Sequence, residues 1–371
     1  MSKDWRARSV LACALLLATS LCAADATQDS MVFPGDSWEF VQKAELGQYG
    51  WDAEALDELT RFIADNSNTT GVVVAERGRV VYSFGDVAEL SIIASVRKSI
   101  LSILYGTWVE QGVIDLDATL AELGIDDVGG LLPIEKEATV EHLLTSRSGV
   151  YHPAANGGDH LADAPGRGSQ RPGEYTLYSN WDFNAAGAVF EQLTGRNIYD
   201  EFDRQLAAPL QLEDWDRSLH SKSHNPTVSR YPAYHFYLST RDMARIGHLM
   251  LNQGRWGGVD ITSGEWAQRI VSTVTPLEKM NPARLRDRYF GYGYMWWVWD
   301  GPRATGPFEG AYTGRGSRGQ WLTVFPKLQL VFAHKTKHAY RRNTSWKSWH
   351  GIIERLLEAR GVTVSAPYPW Q

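Results

Sequence analysis

The chain has 371 residues, 43% of them apolar and 22% charged, with a formal net charge of −6. That balance is ordinary for a globular protein and excludes a disordered, collagenous or coiled-coil chain. An acidic sum with no basic block argues against nucleic acid as the main partner, and the length suffices for a large core in about two domains at ~150 residues each.

Residues 1–24 read as an export leader. Lys3, Arg6 and Arg8 precede a short apolar run, Val10 to Leu21, and Cys22-Ala23-Ala24 offers small residues for cleavage. The run is shorter than the ~20 apolar residues that span a bilayer, so the expectation is a periplasmic or secreted bacterial protein with no stable membrane span after cleavage. Both cysteines, Cys13 and Cys22, fall in this leader. The rest of the chain therefore has no disulfide, no thiolate metal site and no cysteine nucleophile.

Residues 25–50 show little pattern and read as a linker. Leu56, Leu59, Phe62 and Ile63 space a helix over Asp52 to Ala64. Gly71–Ala75 and Arg79–Ser83 flank Glu76-Arg77-Gly78, a hairpin signal. Ser95 to Gln111 reads as a helix stopped by Gly112, and Thr139 caps a short helix ending at Leu144. The Gly-, Pro- and Asp-rich stretch 153–174 is a long loop, of the kind usually tied to function. Further helices are expected over Trp181 to Leu206, broken near Gly195, over Thr240 to Asn252 and over Ser345 to Arg360. Gln320–Phe325 and Gln329–His334 form a second hairpin around Pro326-Lys327.

Strand pairs near both ends, with helices between them, predict an α/β (α+β) fold. One antiparallel sheet, from 51–90 and 290–360, is flanked by terminal helices, and 91–289 forms an inserted, mainly helical domain. Residues 361–371 remain as a tail.

Three local patterns carry chemistry. Ser95-Val96-Arg97-Lys98 places a hydroxyl and an amine three residues apart on one helical face. A serine hydroxyl is a weak nucleophile that needs a base, and a lysine serves if burial and positive neighbours lower its pKa. Tyr178-Ser179-Asn180 adds a tyrosine that a nearby ammonium would push toward phenolate, able to relay protons, and an amide able to hold a substrate carbonyl. Gly314-Arg315-Gly316-Ser317-Arg318-Gly319-Gln320 precedes a strand. Its glycines, Gly316 among them, let backbone approach a ligand, and the N–H groups of Ser317 and Ser95 could together hold an oxyanion.

These motifs, in this order, resemble the serine β-lactamase and penicillin-binding-protein superfamily, nearest its class C, esterase and 6-aminohexanoate-dimer-hydrolase branch. Thr139–Gly149 is similar to the family's HLLTHTSG segment, Pro172–Asn180 to its Y-x-N segment, and Ser239–Arg245 with Gly254-Arg255-Trp256 to its SARDLARFG…GG-W helix. The resemblance covers about 51–360. It implies a β-lactamase/transpeptidase-like fold, with Ser95 as acylated nucleophile, Lys98 its partner and Tyr178 the proton shuttle. It also implies Asn180 as the Y-x-N asparagine and a small ester, amide or peptide-like substrate. Gly314 stands where lactamases and transpeptidases carry the lysine of K-T-G, which moves the expectation from β-lactams toward esters and linear amides. A D-alanyl carboxypeptidase, a β-lactam-hydrolysing or β-lactam-binding protein, and a silent binding protein are the alternatives.

Tyr151 opens the long loop and could cover bound substrate, as a mobile tyrosine does in the resembling hydrolases. Arg315 and Arg318 are expected at the surface, with a substrate carboxylate as the alternative partner. No cofactor is expected. No metal is expected either, because His220/His224 and His334/His338 lack the third and fourth ligands that zinc requires. His235 reads as a buried, hydrogen-bonded residue, and the tryptophans around 296–299 as core.

Overall fold

A computed structural model describes residues 30–338, 341–364 and 368–370. The expected leader, with Cys13 and Cys22, lies outside them.

We number the main-sheet strands and the five long helices in chain order. These are β1 (Glu39–Phe40), α1 (Ala53–Asn66), β2 (Gly71–Glu76), β3 (Arg79–Gly85), α2 (Val96–Glu110), α3 (Asn180–Thr194) and α4 (Thr240–Leu251). They continue with β4 (Phe290–Tyr292), β5 (Trp297–Trp299), β6 (Tyr312–Gly316), β7 (Gln320–Phe325), β8 (Leu330–Lys335) and α5 (Trp346–Ala359). The sheet runs β1-β3-β2-β8-β7-β6-β5-β4. Every pairing is antiparallel except β1 with β3. Its centre is the join of chain ends that the sequence suggested, with Glu76 opposite Leu330 and Gly71 opposite Lys335. β2, β7 and β8 are buried along their whole length, which explains their continuous apolar runs.

Helices cover both faces, and the alternation of side chains along β7 sorts them. Trp321 stacks on Trp349 of α5 at 4.3 Å, and α1 packs beside α5 on that face. The next residue, Leu322, points the other way, toward α4, where a side chain on Gly247 would collide with Leu322 and Val331. α2 shares this second face, because Gly314 of β6, opposite Leu322, abuts Val96 and Ser99.

Three segments differ from expectation. α4 fell within the predicted helical insertion, yet it packs on β2, β7 and β8. Helical periodicity identifies an apolar face but not the layer that covers it. The expected linker carries β1, the buried Trp38 and Leu46, and a 3-10 turn over Lys43–Tyr49. A two-residue strand is too short to show a period. In the expected tail, Trp370 stacks on His350 at 4.4 Å and donates to Glu354.

Among the described residues no helix is long and apolar enough to cross a membrane, and no three metal-ligating side chains converge. His220 is held by Asp216 O and Tyr237 N, while His235 bonds Ser223.

Candidate active site

Ser95 sits at the start of α2, directly after a two-residue ribbon in which Ser91–Ile92 pairs with Tyr237–Leu238. Ala94 takes a left-handed backbone, φ 48°, which turns the chain from ribbon to helix. Ile93 N–H donates to Phe236 O at 3.0 Å and fixes that turn. One helical turn on, Lys98 is buried, with its Nζ donating to Tyr178 Oη at 2.6 Å and to Asn180 Oδ1 at 2.6 Å. Ser95 and Tyr178 line the same cleft, and Ser95 is close enough to act on the phenol. Residues remote in the chain thus meet at one place: Ser95 beside Tyr178, with Tyr178 and Asn180 both bonded to Lys98.

The segment around Ser146 explains how Tyr178 is held. Ser146, itself left-handed at φ 57°, accepts from Leu177 N–H at its carbonyl. Its hydroxyl donates to Leu177 O at 2.7 Å and accepts from Ser179 N–H at 3.1 Å. The phenol ring lies against Trp297 at 5.4 Å and Phe183 at 4.9 Å. Ser179 then caps α3 by accepting from Asp182 N–H, which sets Asn180 on the first turn.

Burial pushes the Lys98 amine well below its usual 10.5, and the adjacent Arg97 pushes the same way against the pull of Asp159. Burial also raises Tyr178, although Ser95 and the nearby Arg97 and Arg315 oppose the rise. Both shifts favour the neutral forms, in contrast to the phenolate expected beside an ammonium.

Two further expectations are corrected. Asn180 has no free amide for substrate. Its Oδ1 accepts from Lys98, its Nδ2 donates to Gly157 O at 2.9 Å, and its backbone N–H donates to Asp159 at 3.0 Å. It is a positioning residue for Lys98. Tyr151 turns inward after Gly149, φ 72°, and lies buried edge-on to Tyr175 at 6.5 Å, away from the cleft. Its position after a turn gave no sign of which way the ring would go.

The cleft over Ser95 holds about 330 Å³. Tyr178, Asp159, His160, Gly316, Ser317 and Arg315 are among the residues that line it. Gly316 is needed where it stands, since a Cβ there would meet Ile93 O and come within 3.1 Å of Ser95 N. Ser317 is exposed at the turn into β7 and lines the same cleft as Ser95.

Two arginines have unexpected surroundings. Arg97 is buried, with Nη2 on Asn184 Oδ1 at 3.2 Å and its guanidinium 4.1 Å from the Tyr234 ring. Arg315, expected at the surface, is half-buried against Trp346 at 4.2 Å, Trp297 at 5.4 Å and Trp321 at 5.4 Å. The β6–β7 register places Arg315 opposite Trp321, but nothing local signals the approach of Trp346.

Comparison with known proteins bears on the family and the fold. The Beta-lactamase family model matches residues 58–345. An uncharacterized protein of Alkalihalophilus pseudofirmus is 26% identical over 266 residues, 64% of this chain and 71% of that protein. A Bacillus anthracis structure assigned as a 6-aminohexanoate-dimer hydrolase superposes with TM-score 0.59 at 19% identity, over 81% of this chain and 80% of that one. A family VIII carboxylesterase superposes with TM-score 0.60 at 14% identity, over 87% and 99%.

Proposed function

The chain belongs to the Beta-lactamase family of serine hydrolases, and on that premise we propose that it is an exported enzyme cleaving a small ester or amide through an acyl-enzyme on Ser95. Ser95 Oγ attacks the substrate carbonyl carbon, and its proton passes to the neutral Tyr178–Lys98 pair. The N–H groups of Ser95 and Ser317 stabilise the oxyanion. The pair returns the proton to the leaving oxygen or nitrogen as the acyl bond breaks. Water then attacks the Ser95 ester, with the same pair as base, and frees the acid.

One observation carries this reading: Tyr178 lines the cleft beside Ser95 and accepts at Oη from Lys98 Nζ, with the lysine buried and pushed toward the free amine. The glycine at 314, where a lysine would stand in K-T-G, supports esters or linear amides over β-lactams. A Cβ there would lie 3.0 Å from Ser99 Oγ and 3.3 Å from Val96, so a larger residue would require those neighbours to give by a few tenths of an ångström. The leader pattern of residues 1–24 supports a periplasmic or secreted location, which cell fractionation tests.

Ser95→Ala tests the mechanism. Turnover of p-nitrophenyl butyrate should fall ~10³-fold or more, and labelling by a fluorophosphonate probe should vanish while the melting temperature holds. Full turnover in that variant would refute the nucleophile.

A further inference from the structure

α3 carries two buried asparagines one turn apart, Asn180 and Asn184, which therefore share a helix face. Their amides repeat one arrangement. Each oxygen faces a basic side chain in the first turn of α2: Asn180 Oδ1 accepts from Lys98 Nζ at 2.6 Å, and Asn184 Oδ1 accepts from Arg97 Nη2 at 3.2 Å. Each nitrogen faces the loop that follows Tyr151: Asn180 Nδ2 donates to Gly157 O at 2.9 Å, and Asn184 Nδ2 donates to Asn156 Oδ1 at 2.9 Å. The repeat has a chemical cause. A guanidinium can only donate, so Arg97 dictates which end of the Asn184 amide it meets, and the amide nitrogen is left for the loop.

The mechanism uses the Asn180 bridge and leaves the Asn184 bridge without a task. Yet that second bridge is kept at a cost in stability. Arg97 is buried, its Nη1 has no hydrogen-bond partner among the described residues, and its guanidinium rests on the Tyr234 ring at 4.1 Å. What the bridge reaches is a wall of the cleft. Two residues past Asn156 comes the stretch Gly158–His160, which lines the cleft beside Ser95 and Tyr178. Gly157 and Gly158 are exposed, and Gly158 is left-handed at φ 97°, so this stretch is held by bonds more than by packing. His160 N–H donates to Tyr178 O at 3.0 Å, and Asp159 accepts from Asn180 N–H at 3.0 Å. The same carboxylate attracts a proton to Lys98, against the repulsion of Arg97. The other groups facing the amine are Tyr178, Asn180 and the Phe183 ring at 4.3 Å.

We propose that Asn184 and Asn156 are positioning residues: Asn184, oriented by Arg97, grips Asn156 and so holds the cleft wall 158–160, with the Asp159 carboxylate, in register with Lys98. This deepens the hydrolase reading and rests on it for any effect on turnover, though the grip on the loop does not need Ser95.

Asn156→Ala cuts the grip at a half-buried side chain, where the fold is least at risk. Hydrogen exchange at the His160 amide should quicken about 3- to 10-fold, while exchange in β2 and β8 stays as it was. As Asp159 loosens, Lys98 loses an attraction, and the acid limb of kcat/KM on p-nitrophenyl butyrate should move about half a pH unit lower. Asn156→Asp, which keeps an oxygen for Asn184 Nδ2, should restore slow exchange. Arg97→Met reaches the loop through Asn184, so it should quicken the same amide, and adding Asn156→Ala to it should quicken exchange no further than Asn156→Ala alone. Thermal melts confirm that each variant is folded. Unchanged exchange in Asn156→Ala, no restoration by Asn156→Asp, or additive effects in the double variant would overturn the proposal. So would an acid limb that stays in place, since a bridge that only supports the fold would not move it. Ser95→Ala should exchange as the wild type does. Turnover surviving in that variant would instead sink the hydrolase reading and leave the exchange results standing.

Discussion

Two lysines of this molecule are buried to the same degree and serve opposite ends. Lys98 opens the cleft, with one phenol, one amide and a neighbouring arginine around its nitrogen. Lys335 closes β8, where its nitrogen donates to three backbone carbonyls, those of Glu89, Ser91 and Leu238. Carbonyl oxygens only accept and so favour an ammonium, and Glu89 and Asp242 add attraction, yet burial still pulls Lys335 to about 7. Around Lys98 the phenol can also give or take a proton, and Arg97 adds repulsion. Burial alone therefore does not make a base. The partners decide whether a desolvated lysine ties backbone together or is left ready to accept a proton.

Replacing each lysine by methionine should separate these roles. Lys98→Met should lower kcat/KM on p-nitrophenyl butyrate by about 10²–10⁴-fold with little change in melting temperature, since methionine fills much of the volume without a charge to bury. Large destabilisation with activity retained would reverse the assignment.

The pH profile sharpens the comparison from the electrostatic side. On the proposed mechanism Lys98 acts as the free amine, so kcat/KM should fall as pH drops through its lowered pKa and the amine takes up a proton. In Arg97→Met the repulsion is gone, the Lys98 pKa rises, and the loss should begin at higher pH than in the wild type. A limb that stays in place would remove Arg97 from the account. A purely structural role for Arg97 would shift the melting temperature and leave the limb alone.

The smallest effect belongs to Lys335→Met, which should cost about 1–3 kcal/mol of stability by leaving buried carbonyls without donors. The sign of its pH dependence is fixed. The native pKa is lowered from 10.5 to about 7, so between those values the unfolded chain binds more protons and wild-type stability gains from this group as pH rises. Chemical denaturation at pH 7 and pH 10 should show that gain in the wild type and its absence in Lys335→Met.

Ser95, Lys98 and Tyr178 were legible because the first two lie one helical turn apart and the third sits in a recognisable short pattern before a helix. The hairpins and the long helices were legible for the same reason: their signals are local. The remainder depends on contacts between distant segments. Asn180 was read as a substrate contact because its atoms suit one, but the loop around Gly157 and the amine of Lys98 occupy all of them. Arg97 and Arg315 pack on Tyr234 and Trp346, far along the chain, and no local pattern announces those contacts. α4 was placed in the wrong layer because an amphipathic pattern does not name its partner.

The left-handed alanine before Ser95 has a consequence for when reactivity arises. An L-residue holds that conformation against a cost of ~1 kcal/mol or more, so something outside the segment must keep it there. Here that support is the 237–238 strand, with Phe236 beside it, and the crowded passage of Gly316. A nascent or partly denatured chain carries the same hydroxyl without an aim. On the proposed mechanism, an aimed Ser95 therefore requires all three distant stretches to be in place around one turn.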